Sequence, residues 1–293
     1  MGDKMKKLFV IIFAAFLVVG FNVKSDASTD EKVVAILDTY VDSSISDRII
    51  YEVCVVLNTS CLNNSSFMEG KGAANVLRTD LSAKGIEHGP QMAATALQAN
   101  PNTKIVFVRI HNIHRYPTFN AIYASDESIA NGLRWVSENA QKYSIDSVSI
   151  SQARTNFASG TCPKNTKIEQ YVQSLKSLSI PVFAGAGNGG WWNRTGFPAC
   201  STDVIGVGSS NSSVTLGTSN MGVGVDFYSI GTIQLSNLNN IRVTGTSVAT
   251  AYIASVWINK FFGTWQNQYD LANGSTIMVT HTRSGQKFKL IDN

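Results

Sequence analysis

Charge and proline are both scarce in this chain. Charged residues make up 15% of 293 and prolines number six, against a usual charged share of about 25%. Together with 44% hydrophobic residues, that excludes disordered and collagen-like chains and leaves ample material for a core. Basic surface is also lacking: the net charge of +4 falls to +2 when residues 1–27 are set aside, so no nucleic-acid partner is expected. There are only four cysteines, none in CxxC spacing, which argues against zinc or redox chemistry. After residue 21 no apolar run is long enough to cross a membrane, since a spanning helix needs about 20 residues.

What is present begins with Lys4, Lys6 and Lys7, an apolar run over 8–21, and Ser25-Asp26-Ala27. That is the layout of a secretory signal cleaved after Ala27; an uncleaved anchor is the alternative, disfavoured by the shortness of the run. Residues 1–27 are therefore expected to be the signal and 28–293 the mature chain, secreted or periplasmic and free of the membrane. In an oxidising compartment Cys54, Cys61, Cys162 and Cys200 would form two disulfides. Three pairings are open, and local closure favours Cys54 with Cys61 and Cys162 with Cys200.

Short β-branched runs at 33–37, 49–56, 104–110, 147–151, 181–186 and 204–208 read as buried parallel strands. Between them, 125–143 places Ile129, Leu133, Val136 and Ala140 on one helical face, and 165–178 does the same with Ile168, Val172, Leu175 and Leu178. Strand and helix alternate, which predicts an α/β fold: a doubly wound, mostly parallel central sheet with helices on both faces. No linker divides the chain, and 276–291 reads as a terminal hairpin around Ser284-Gly285.

In such a sheet, chemistry gathers at the carboxyl ends of strands. Four reactive residues stand at predicted element ends: Asp38, His88, Asn188 and Ser247. A serine hydroxyl is a weak nucleophile near neutral pH, so Ser247 needs a base, and His88 can supply one. Asp38 would hold the histidine tautomer, and the Asn188 amide with the Ser247 backbone N–H would bind an oxyanion.

Ala35-Ile36-Leu37-Asp38-Thr39, His88-Gly89, Ala184-Gly185-Ala186-Gly187-Asn188 and Gly245-Thr246-Ser247-Val248-Ala249-Thr250 resemble, in order, the four signature blocks of the subtilisin-like serine proteases. The resemblance implies an endopeptidase working through an acyl-enzyme on Ser247, with no cofactor for catalysis; structural calcium stays open, since no block matches a calcium loop. It implies protein or peptide substrates. A peptide is expected to add a strand along Ser149-Ile150-Ser151, its P1 side chain entering between Ser151-Gln152-Ala153 and Ala184, Gly185, Ala186 and Gly187. Small residues wall that space, so a roomy P1 slot is expected. Trp191 and Trp192 read as a local hydrophobic plug rather than a substrate platform.

The chain departs from the family pattern at several positions. Tyr40 stands where the first block has glycine; if that position needs positive φ, the tyrosine would cost about 1–2 kcal/mol or move the loop. Pro90 and Gln91 follow His88-Gly89, and Ala251-Tyr252 replace the proline and histidine of the last block. Only residues 28–32 separate the expected signal from the first strand, which leaves no room for an inhibitory propeptide; either folding proceeds unaided, helped by the disulfides, or an inhibitor or folding assistant is supplied in trans. These departures motivate a second reading, a catalytically silent peptide-binding pseudoenzyme, and the intact triad also admits a processing enzyme with one dedicated substrate. His111 and His114 read as bland residues rather than a metal pair, and no metal site is expected.

Overall fold

The computed structural model describes residues 31–42, 46–58, 60–281 and 284–292; the expected signal at 1–27 lies outside them. The strands are β1 (Val33–Asp38), β2 (Ile49–Val55), β3 (Phe67–Glu69), β4 (Lys104–Arg109), β5 (Asn112–Arg115), β6 (Asn120–Tyr123), β7 (Ile145–Ile150), β8 (Val182–Gly185), β9 (Val204–Ser210), β10 (Phe227–Ile230), β11 (Thr232–Leu235), β12 (Ile241–Thr244), β13 (Met278–Thr280) and β14 (Lys287–Lys289). The helices are α1 (His88–Ala99), α2 (Asp126–Asn139), α3 (Thr166–Ser177), α4 (Thr246–Lys260) and α5 (Trp265–Asn273).

Eight strands form the central sheet in the order β10-β9-β8-β7-β1-β4-β2-β3. Every neighbouring pair is parallel except β2 and β3. Both faces are covered, which is why strands such as β1 and β4 read as near-continuous apolar runs instead of alternating. Val34 and Ile36 of β1 pack with α1 and α4 on one face, while Val33, Ala35 and Leu37 pack with α2 and α3 on the other. The expected terminal hairpin is present as β13 and β14.

Helix starts follow from local hydrogen bonding. Ser125 and Ser128 cap α2 reciprocally, each hydroxyl accepting the other's backbone N–H at 3.0 and 2.9 Å, and Asn165 caps α3 by accepting from the Ile168 N–H at 3.2 Å. Helix α4 is apolar on all sides and buried from Val248 to Ile258, as expected of a helix inside a core. Its Trp257 is fully buried, edge-on to Phe183 and Phe227 with centroids 5.1 and 5.7 Å away. The indole N–H donates to Gln268 Oε1 at 2.8 Å, so the one polar atom of this large side chain is satisfied.

Candidate active site

Strand β1 lies between β4 and β7, with α1 and α2 on opposite faces, so its carboxyl end opens into a crevice of the kind that binds ligands. Asp38, the last residue of β1, is fully buried. Its Oδ1 accepts the Thr39 backbone N–H at 2.7 Å, and its two oxygens lie 2.8 and 2.9 Å from His88 Nδ1. A carboxylate can only accept, so Nδ1 carries the proton and Nε2 keeps the lone pair that a base needs. Thr39 ties the two elements together, its hydroxyl donating to Ile86 O at 2.7 Å and accepting the Gly89 N–H at 2.8 Å. Gly89 has no room for a side chain: a Cβ there would overlap the Tyr40 carbonyl oxygen. Burial draws the His88 pKa down, but the Asp38 charge and hydrogen bond, helped by Glu87, outweigh it and raise the pKa above the ordinary 6.5.

The departures flanking these residues are accommodated. Tyr40 is not among the positive-φ residues, so the strain expected of it does not arise. Pro90 is the third residue of α1, where a missing N–H costs little, and the Gln91 N–H donates to Glu87 O at 3.2 Å around it.

Ser247 is the second residue of α4, where a backbone N–H has no partner within the helix. Gly245 caps the helix at φ 133°, and a Cβ there would lie 3.0 Å from Asn188 Nδ2 and Oδ1, so the glycine lets the amide cross it. Asn188 Oδ1 accepts the Thr246 N–H at 2.9 Å. Because that N–H can only donate, Oδ1 is the end engaged by the helix, and the NH2 group of the exposed Asn188 is the end left to donate elsewhere. The Ser247 hydroxyl donates to Ser151 O at 3.3 Å, and the Ser151 hydroxyl donates to Ser247 O at 3.1 Å. Among the described residues no hydrogen bond joins Ser247 to His88; such bonds commonly tighten only when substrate binds.

The expected substrate strand requires a correction. Ser149 and Ile150 belong to β7, are paired with β1 on one side and β8 on the other, and are fully buried. A strand flanked on both sides offers no backbone groups to a peptide. The accessible edge starts at Ser151 and continues through Gln152 to Ala153, which is exposed. Ala184 and Gly185 likewise lie inside the sheet, in β8, and Ala186 and Gly187 are buried just beyond it.

Two residues beside the site were not singled out for a role there. His111 is 4% exposed and lines, with Thr39, His88, Ser151 and Gln152, a recess of about 310 Å³. Burial lowers its pKa despite the opposing pull of Asp38, and among the described residues its Nδ1 has no hydrogen-bond partner. His114 instead packs against Tyr116 with tilted rings whose centroids are 4.3 Å apart. The signal for His111 was its place just after the apolar run 104–110. Arg109, beside Asp38 and Cys54 in register, is fully buried and donates to Ser60 O and Asn75 O at 3.0 Å each. Burial, partly offset by Asp80, brings its pKa down to about 10.

Both disulfides pair as local closure favours, Cys54 with Cys61 and Cys162 with Cys200. Among the described residues no helix is long and apolar enough to cross a membrane, and no group of three His, Cys, Asp or Glu side chains could hold a metal ion.

A parallel sheet with a buried acid, an oriented histidine and a helix-borne serine near strand ends is the arrangement expected of a serine hydrolase. Residues 29–258 match the model of the subtilase family, and the chain belongs to that family of serine endopeptidases. Solved structures of the same fold include the proteases from Pseudoalteromonas arctica PAMC 21717, 19% identical over 89% of this chain and 87% of that one, with a TM-score of 0.66. Sphericase is 17% identical over 88% and 89%, TM-score 0.61. A cold-adapted subtilisin-like serine proteinase is 19% identical over 88% and 87%, TM-score 0.59. No curated protein matches the chain by sequence.

Proposed function

We propose that this chain is a secreted endopeptidase that cuts polypeptides through an acyl-enzyme on Ser247. The observation that carries the reading is the His88 Nδ1 contact to both oxygens of buried Asp38, at 2.8 and 2.9 Å, which leaves the basic lone pair on Nε2. Rotation of the Ser247 hydroxyl away from Ser151 O lets His88 take its proton as Oγ attacks the scissile carbonyl carbon. The carbonyl oxygen becomes an oxyanion, held by the NH2 of Asn188 and the free Ser247 N–H at the positive end of α4. The C–N bond then breaks, and the leaving amine takes the proton from His88. Water, deprotonated by the same histidine, adds to the ester; release of the acid restores Ser247. Nucleophile, base, orienting carboxylate and amide donor all come from this chain, so the reaction needs no cofactor.

Secretion is supported by the signal-like layout of residues 1–27 and by the two disulfides. Labelling of the purified, signal-free protein with a fluorophosphonate tests the catalytic reading. Labelling that is lost in both Ser247→Ala and His88→Ala is the expected result. A folded protein that takes no label across pH and calcium conditions would instead bind peptides without turning them over.

A further inference from the structure

Asn188 is followed by Gly189, and what comes of that pairing rests on the oxyanion role just proposed for Asn188. An asparagine before glycine is the sequence in which the next backbone nitrogen most easily reaches the side-chain carbonyl carbon, because glycine has no Cβ to obstruct the approach. The chain has three such pairs, Asn131-Gly132, Asn188-Gly189 and Asn273-Gly274, and the second lies in the catalytic machinery. The fold requires the glycine there. A Cβ built on Gly189 would lie 2.5 Å from Trp191 Cδ1 and Nε1, and the Arg194 guanidinium, 3.5 Å above the indole, steadies that ring. Asn188 and Gly189 are both exposed, so water and hydroxide reach the pair.

The surroundings favour reaction at one atom of the pair and restrain it at another. The Thr246 N–H donates to Asn188 Oδ1 at 2.9 Å, which polarises the side-chain carbonyl and stabilises the negative oxygen formed when a nucleophile adds to it. The nucleophile is the Gly189 nitrogen. Its N–H donates to Asn220 Oδ1 at 3.0 Å, and Asn220 is itself fixed by the Trp191 N–H at 3.1 Å and by its own donation to Ala186 O at 2.9 Å. Asn220 is fully buried, so its grip shields the proton that hydroxide must remove. We propose that Asn188-Gly189 is a self-modification site that ends the enzyme's working life, and that Asn220 sets its rate. When the Asn220 contact opens, hydroxide removes the Gly189 proton and the nitrogen attacks Asn188 Cγ. The Cγ–Nδ2 bond breaks, the leaving nitrogen takes a proton from water, and ammonia departs from a cyclic imide. Water then opens either imide C–N bond, leaving aspartate or isoaspartate at 188. The aspartate keeps an oxygen for the Thr246 N–H and brings a negative charge to the start of α4, where an anion is favoured. That product stays folded, but an amide donor has become a carboxylate that repels the oxyanion.

Peptide mass spectrometry during storage in mildly alkaline buffer follows the chemistry, in signal-free Ser247→Ala protein so that self-cleavage does not intervene. Conversion at Asn188 is expected to outpace conversion at Asn131, whose following N–H is locked inside α2. Asn220→Ala, made in the same background, should quicken conversion at Asn188 about 5-fold, the factor set by one ordinary hydrogen bond; the comparison with Asn131 carries the test if that variant does not fold. Asn188→Asp, the product made directly, should melt no lower than the wild type and take a fluorophosphonate about 10²–10³-fold more slowly. Conversion at Asn188 no faster than at Asn131, or a folded Asn220→Ala protein that converts no faster than its parent, overturns the proposal. So does an Asn188→Asp protein that labels as fast as the wild type. A fresh wild type that takes no label while Asn188 still converts overturns the protease reading and leaves the modification standing.

Discussion

Gly89→Ala adds one methyl where the acid-bearing loop meets the base-bearing helix. That methyl would overlap the Tyr40 carbonyl oxygen and sit 2.8 Å from Thr39 Oγ1 and 2.9 Å from Phe107 Cζ. None of the three can retreat easily: Phe107 is fully buried in β4, and Thr39 is held by its bonds to Ile86 O and the Gly89 N–H. Restoring ordinary contact requires the loop or the first turn of α1 to move by about 1 Å. Overpacking of this kind costs about 1–3 kcal/mol, which at this chain length lowers Tm by about 2–4 °C for each kcal/mol. The displaced atoms hold Asp38 against His88, so activity should fall further than stability, by about 100-fold for a 1 Å misplacement. Melting by circular dichroism and the second-order rate of fluorophosphonate labelling report the two effects separately. Gly217→Ala, with nothing within 4 Å of the added methyl, is the control and should change neither. A Gly89→Ala protein with wild-type Tm and labelling rate would refute the argument that this contact assembles the site.

The raised His88 pKa should place the acid limb of kcat/KM above pH 6.5, because only neutral His88 acts as base; a limb at or below 6.5 would contradict the Asp38 contact. The same shift favours protonated His88 in the folded state, so its stabilising contribution is full below pH 6.5 and lost as pH rises through the folded value; the Tm difference between wild type and His88→Ala should narrow over that window. Asn188→Ala should lower kcat by about 10²–10³-fold with little change in KM, and an unchanged kcat in steady-state assays would remove Asn188 from the oxyanion site. Replacing Cys162 and Cys200 together by serine removes a bridge across 38 residues, worth about 4 kcal/mol on loop-entropy grounds; an unmoved urea midpoint would show that the bridge adds nothing to stability.

The sequence signalled most strongly where parallel strands are buried on both faces. Runs such as 33–37 and 104–110 carry no polar alternation, and they emerge as β1 and β4 with ends shifted by one residue. The reactive residues following those runs were therefore visible, Asp38 most plainly. The hairpins β5–β6 and β11–β12 were not. Their four-residue strands mix apolar and polar side chains, as in Thr232-Ile233-Gln234-Leu235, and their pairing leaves no period long enough to read. Helix α5 is nine residues with Gln268 and Ala272 its buried positions, too short for an apolar stripe to stand out. Tyr40 shows a different limit: an expected backbone strain followed from what a glycine usually does, whereas φ at that residue depends on the loop's own packing.

Local pattern and spatial neighbourhood part most clearly at the substrate side of the site. The run 147–151 correctly announces a strand, but whether its edge is free depends on β1 and β8, which arrive from distant parts of the chain, and they close it up to Ile150. The small residues at 184–187 pose the same ambiguity. A glycine records only that something comes close, and composition does not say whether that neighbour is a substrate or another strand. At Gly89 and Gly245 the neighbours are the Tyr40 carbonyl and the Asn188 amide, and the contacts assemble the catalytic residues. At Gly187 the nearest neighbour is the Asn220 amide and at Gly196 it is the Ala153 methyl, so these glycines let one backbone segment close on another. A methyl added at Gly89 or at Gly245 should therefore weaken catalysis, because each glycine lets a catalytic neighbour approach that a Cβ would push away.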